Sequence, residues 1–216
     1  SAASDVYKRQ FNVPSDHLLI DSEFYQAQMK CVFSEPIIEK RILINKEAFI
    51  SNIKKKHSVD LSHLTDECQE HEKKVKRPVV FTETAVAEVI NAYDKILVEG
   101  FNVSEMRKLY ELLYDSSERN AKYTSWQSIK LIEAILVKLS LSVDNIDIAS
   151  VMSPLYILHD YRILLDHLLS AEKISDTKQH IVSTLGVQSF NDQEAIYNEE
   201  IKRLNTLFNY LGVLSK

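Results

Sequence analysis

An all-α fold is predicted by three features of this 216-residue chain: few helix breakers, periodic apolar spacing and a series of recognisable helix ends. Only 3 glycines and 4 prolines are present, well below the usual ~7% and ~5%. That scarcity leaves no Gly-rich phosphate loop and no GxGxxG, and it disfavours an all-β fold with its many tight turns. Apolar residues at 45% and charged residues at 26% give the balance of a globular chain rather than a disordered one.

The first residues stand apart. Residues 1–10, SAASDVYKRQ, read as an adapter-like scar rather than native structure. Residues 11–56 read as an N-terminal segment, the end of an upstream domain, either irregular or forming a β-hairpin. Within it, residues 29–33 and 37–44 carry β-branched and aromatic side chains on either side of Ser34, Glu35 and Pro36. Asn45 is placed to cap a helix reaching Lys56.

A helical domain is predicted over 57–216. Asp60 can cap a helix whose Leu61, Leu64, Cys68 and Val75 share one face, with Pro78 beyond its end. Residues 84–98 follow, stopped by Gly100. Asn102 with Glu105 opens a helix to Tyr114, and Thr124 with Gln127 has the capping-box spacing before the apolar stretch 126–141. A short helix is predicted at 144–152. Ser153 and Pro154 then supply an N-cap and a first-turn proline for a helix reaching Ala171. Residues 175–185 form the next helix, ended by Gly186. Asn191 with Glu194 opens the last, which reaches Leu211 before Gly212. The expected architecture is a helical bundle.

Charge and cysteine usage narrow the function classes. A formal net charge of −5 gives no global attraction to nucleic acid, so any such contact must be local. Cys31 and Cys68 lack paired spacing, which fits a reducing cytoplasm. No apolar run approaches the ~20 residues that a membrane span requires.

Four groups carry candidate chemistry. His63, Glu67, Glu70 and His71 have near-helical spacing for a transition metal, but the face is crowded with charge and lacks HExxH, so it reads as solvated and no metal is expected. Lys54, Lys55, Lys56 and His57, together with Lys73, Lys74, Lys76 and Arg77, form basic runs. They are either phosphate contacts or cations favourably placed at helix C-termini. Tyr123 and Trp126 offer an aromatic platform, or simply core.

The fourth group is the segment 153–171, SPLYILHDYRILLDHLLSA. On a helical wheel Ile157, Leu158, Tyr161, Leu164, Leu165, Leu168 and Leu169 share a core arc. The opposite arc holds His159, Asp160, Asp166, His167 and Ser170, with Arg162 at its edge. Tyr156 and Ile163 also fall there, as apolar bodies among polar ones, which marks a second covering surface and hence a dimer interface. Arg162 and His167 lie off the core arc, so truncating either is expected to cost little stability.

Arg162 and His167 form an Arg-x4-His pattern on a late helix of an all-α chain. The pattern resembles the signature of the HEPN superfamily (higher eukaryotes and prokaryotes nucleotide-binding), over roughly residue 83 to the end of the chain. The position after the arginine, commonly Asn in that family, is Ile163 here. The resemblance implies a compact dimeric helical bundle and a metal-independent endoribonuclease of the bacterial defence or toxin type. Its site would be composed at the dimer interface, its partner would be RNA rather than a DNA sequence, and it would need no cofactor. Arg162 would neutralise the scissile phosphate, His167 would transfer protons, Asp166 would orient one of them, and His159 is a secondary candidate. By that resemblance the product carries a 2′,3′-cyclic phosphate.

The residue types suit the chemistry independently. Histidine titrates near working pH, and arginine donates parallel hydrogen bonds to phosphate while staying charged. Five residues along a helix separate two side chains by roughly 140°, so the pair can line a cleft but cannot grip one small ion. The competing expectation is an Arg162–Asp166 ion pair with an exposed His167, in a non-catalytic helical module for dimerisation or protein binding.

Overall fold

The computed structural model describes residues 36–142, 146–166 and 168–216, with the backbone alone at 142, 165 and 166. The described residues form eight α-helices and no strand. The helical unit runs Ile37–Lys216, and no described helix is long and apolar enough to cross a membrane.

Helix α1 (Ile38–His57) buries Glu39, Ile42, Leu43, Lys46, Phe49, Ile50 and Ile53, a repeat of three and four that makes one continuous stripe. This stripe overrides the β-branched content of 37–44, so the second strand of the expected hairpin is a helix. Asn45 lies inside that helix instead of capping it. The first strand, 29–33, and residues 1–10 lie outside the described residues. The basic side chains Lys54, Lys55, Lys56 and His57 occupy the last turn, where they complement the helix dipole.

α1 packs along α8 (Gln193–Leu214), whose Ile196, Tyr197, Ile201, Leu204, Leu207, Phe208 and Leu211 face inward. Tyr197 donates to Glu39 Oε1 at 2.9 Å, and Asn52 Nδ2 donates to the Gly212 carbonyl at 3.0 Å. Gly212 therefore does not end the helix. It lies within α8, close to the Asn45 carbonyl of α1. Residues 37–56 thus join the helical unit, and the division expected near residue 57 falls inside a packed structure.

α2 (Thr65–Glu72) starts later than the Asp60 cap predicts. Asn102 N–H donates to the Leu61 carbonyl at 2.9 Å and Ser62 bridges to Phe101, which holds 61–62 in extended backbone. Asp60 instead accepts from Ser62 N–H at 3.0 Å. α3 (Glu83–Asp94) is capped by Thr82, whose hydroxyl accepts from Ala85 N–H, and runs into a π-helical turn, Lys95–Glu99. α4 (Val103–Leu113) has the Asn102 cap that its sequence predicts, accepting from Glu105 N–H at 3.2 Å.

The expected Thr124–Gln127 capping box does not form. Tyr123–Ser125 is a 3-10 turn and α5 is Ser128–Leu139. The cause is tertiary: Tyr123 and Trp126 pack on the Tyr110 ring at 5.1 and 5.6 Å, and Arg107 Nη2 donates to the Trp126 carbonyl at 2.9 Å. The two aromatic side chains are therefore part of an internal ring cluster.

α6 (Ile148–Asp166) fuses the short helix predicted at 144–152 with the one predicted from Ser153. Asp147 Oδ1 accepts from Ser150 N–H at 3.3 Å and starts the helix. Pro154, now internal, cannot donate to the Ser150 carbonyl. The Ser153 hydroxyl donates to that carbonyl instead, at 2.7 Å. α6 ends at Asp166 rather than Ala171, because Ser170 caps α7 (Ala171–Leu185) by accepting from Lys173 N–H at 3.3 Å. Leu168 is consequently exposed, while Ile157, Leu158 and Tyr161 are core.

Gly100 closes the π turn at a position without room for a side chain. A Cβ there would fall within contact distance of the Ile96 carbonyl oxygen and 2.9 Å from Cys68 Sγ. Gly100→Ala is expected to destabilise the fold by about 1–3 kcal/mol through overpacking. A melting temperature equal to wild type would show that the turn relaxes freely.

Candidate functional site

The π turn brings the chemistry together. In such a turn the backbone bonds reach to the fifth residue instead of the fourth, a local widening found often at functional sites. Asp94, the last residue of α3, has no exposed surface. Arg162 of α6 reaches it with Nη1, 3.5 Å from Asp94 Oδ2, and the same Nη1 pairs with Glu99 Oε1. Glu99 uses its other oxygen for Lys95 Nζ at 2.9 Å. Arg162 is thus anchored to both ends of the π turn.

Burial pushes the Asp94 carboxyl up to about 6. Arg162 opposes that shift, the neighbouring Glu99 adds to it, and Lys95 and His159 oppose it more weakly. Asp94 Oδ1 is buried without a hydrogen-bond partner among the described residues. The expectation that Arg162 could be truncated at little cost is therefore corrected: its removal would strip a buried carboxylate of its cation.

Arg162 opens onto a cavity of about 740 Å³. One wall is the face of α6 that carries Tyr156, His159 and Arg162 at successive intervals of three residues. The first turns of α4 and α5, including Ser104, Ser128 and Lys130, line the cavity as well. Phe101 and the end of the π turn, Val98 and Glu99, also contribute to the lining. His63 is carried to the rim by the pairing of 61–62 with 101–102.

The sequence-predicted residues distribute unevenly. Arg162 and His159 meet on the cavity wall, with His159 exposed. His167 lies outside the described residues, as does the side chain of Asp166. Tyr156 has an explanation within its own chain, since its hydroxyl donates to Glu133 Oε2 at 3.1 Å and Lys130 Nζ sits 5.7 Å above its ring. Ile163 is half-buried.

None of Lys73, Lys74, Lys76 and Arg77 lines the cavity. Lys73 pairs with Glu70 at 2.5 Å. Arg77 stacks over the Phe81 and Tyr197 rings, 3.7 Å from Glu194, and so pins the loop before α3. His63 precedes α2 and is therefore not one turn above Glu67. No group of three or more His, Cys, Asp or Glu is placed to hold a metal among the described residues.

Sequence reasoning missed Asp94, Glu99 and Ser128. The available signal was Asp94 itself, an acid set among Ile90, Ala92, Tyr93, Ile96 and Leu97. Comparison of the chain with protein-family models, with curated proteins and with solved structures gives no match.

The Asp94 carboxyl is raised above its unfolded value of ~3.9, so its neutral form is the one that folding favours. Its stabilising contribution is full below about pH 4 and is lost as pH rises through about 6. Asp94→Asn is expected to gain stability relative to wild type over that window and to hold a constant difference above it. Urea midpoints of the two proteins measured across the range test this; a pH-independent difference would contradict it.

Proposed function

We propose that the chain is a metal-independent endoribonuclease of the HEPN type, an effector of the kind used in bacterial defence and toxin systems. The observation that carries the reading is the fixed guanidinium of Arg162, anchored by Asp94 and Glu99 on a cavity wall that also bears His159.

RNA cleavage without a metal needs a base for the 2′-hydroxyl, an acid for the leaving 5′-oxygen and a cation for the charge gathering on phosphorus. A held arginine meets the last need without reorganising during the reaction. His159 and His167 are the proton-transfer groups in this reading, and attack of the 2′-oxygen leaves a 2′,3′-cyclic phosphate on one product. Two copies would meet through the α6 face that carries Ile163, completing the site between them.

A second reading, a non-catalytic dimerisation or protein-binding module, is favoured by one feature. The charge of Arg162 is already balanced by two carboxylates, as in a purely structural pair.

Cleavage of a mixed-sequence RNA separates the two. Arg162→Lys is expected to lower the rate nearly as much as Arg162→Met, because a point charge does not reproduce the planar fork. His167→Ala and His159→Ala should each lower it, by ~10²–10⁴-fold for whichever carries the proton transfer. Cleavage should persist in EDTA. Unchanged cleavage in folded Arg162→Met protein, or none by wild type, leaves the interaction module.

A further inference from the structure

Two helices begin on the cavity wall, and their ends differ. α4 is closed by the Asn102 side chain. α5 is not: Gln127 makes no side-chain capping bond and the first turn holds no acidic residue. The N–H groups of Ser128, Ile129 and Lys130 belong to that first turn, and none of them donates to a backbone carbonyl among the described residues. They carry the positive end of the α5 dipole, which favours an anion.

Independent features at the same place also call for an acceptor. The Ser128 side chain is only 5% exposed and lines the cavity, and its hydroxyl, which has no protein hydrogen-bond partner among the described residues, is not among the fully buried atoms and so opens onto the cavity. A hydroxyl that opens only onto a cavity takes its hydrogen bonds from whatever occupies that cavity. Two cations stand nearby. Lys130 sits in the turn itself, where a positive charge opposes the dipole, and it is balanced by Glu133 at 2.7 Å. Arg107 donates to the Trp126 carbonyl just ahead of the helix, and its Nε is buried without a partner among the described residues.

We propose that the first turn of α5 is a phosphate-binding subsite, in which the N–H groups of Ser128, Ile129 and Lys130 and the Ser128 hydroxyl hold one phosphate group inside the cavity. The subsite and Arg162 come from different helices, α5 and α6, that line the same cavity. Its extension to RNA rests on the ribonuclease reading: in a bound strand it would hold a phosphate neighbouring the scissile one, and a free phosphate or phosphorylated small molecule presents the same chemistry.

The test uses inorganic phosphate and a 2′-O-methyl oligoribonucleotide, which lacks the attacking hydroxyl and cannot be cleaved. Titrating phosphate to millimolar levels into the 15N-labelled chain should shift the amides of Ser128, Ile129 and Lys130. Ser128→Asp, which puts a competing carboxylate on the same N–H groups, should weaken binding by at least roughly tenfold, and Ser128→Ala by several-fold. The alanine variant guards against misfolding of the aspartate one.

Displacement of phosphate from these amides by the oligoribonucleotide assigns the subsite to an RNA backbone. Phosphate binding without displacement assigns it to a free phosphorylated ligand. Phosphate binding in a protein that cleaves no RNA leaves the subsite standing and removes the ribonuclease reading. No shift at these three amides, or shifts insensitive to both Ser128 variants, overturns the proposal.

Discussion

Asp94 sits with no exposed surface at the junction of a regular helix and a π turn, and its position decides what surrounds it. A carboxylate so placed is held in the ionised form only by a cation, and Arg162 is the cation that reaches it. The pairing joins α3 to α6 across the bundle and sets the direction in which α6 presents its polar side. Glu99, five residues further along, takes the same guanidinium nitrogen, so the turn grips Arg162 from both ends. Gly100 completes the arrangement because only a residue without a side chain fits beside the Ile96 carbonyl.

From that grip the cavity follows. The α6 face with Tyr156, His159 and Arg162 lines it, together with the starts of α4 and α5. The sequence pattern marked this face of α6 as a surface to be covered. The structure covers part of it from within the chain, through Glu133 and Lys130 of α5 against Tyr156. The polar arc is therefore partly an internal lining, which bears on how much of it remains for a second copy.

Local signals in the sequence were legible where local contacts decide the outcome. The Asn102 cap and the Gly186 end of α7, in left-handed conformation at φ 71°, are of this kind. The all-α class was legible from the scarcity of breakers. Signals failed where distant contacts overrule them. Asp60 does not cap because Leu61 and Ser62 pair with 101–102. Thr124 does not cap because it lies in the 3-10 turn Tyr123–Ser125, with Trp126 held extended against Tyr110. Pro154 does not begin a helix because Ser153 supplies the bond that proline lacks. At the site, Arg162 and His159 were legible from one helix face. Asp94 and Glu99 were not, since they come from an element more than sixty residues away and a π turn has no sequence signature of its own.

The central claim is that the buried Asp94 and Arg162 act as one unit. A double-mutant cycle with Asp94→Asn and Arg162→Met, read by urea unfolding above pH 7 where both groups are charged, measures it directly. The account predicts a coupling free energy of about 1–3 kcal/mol, the range of directly interacting groups. Additive losses, agreeing within about 0.5 kcal/mol, would contradict it and detach Arg162 from the π turn.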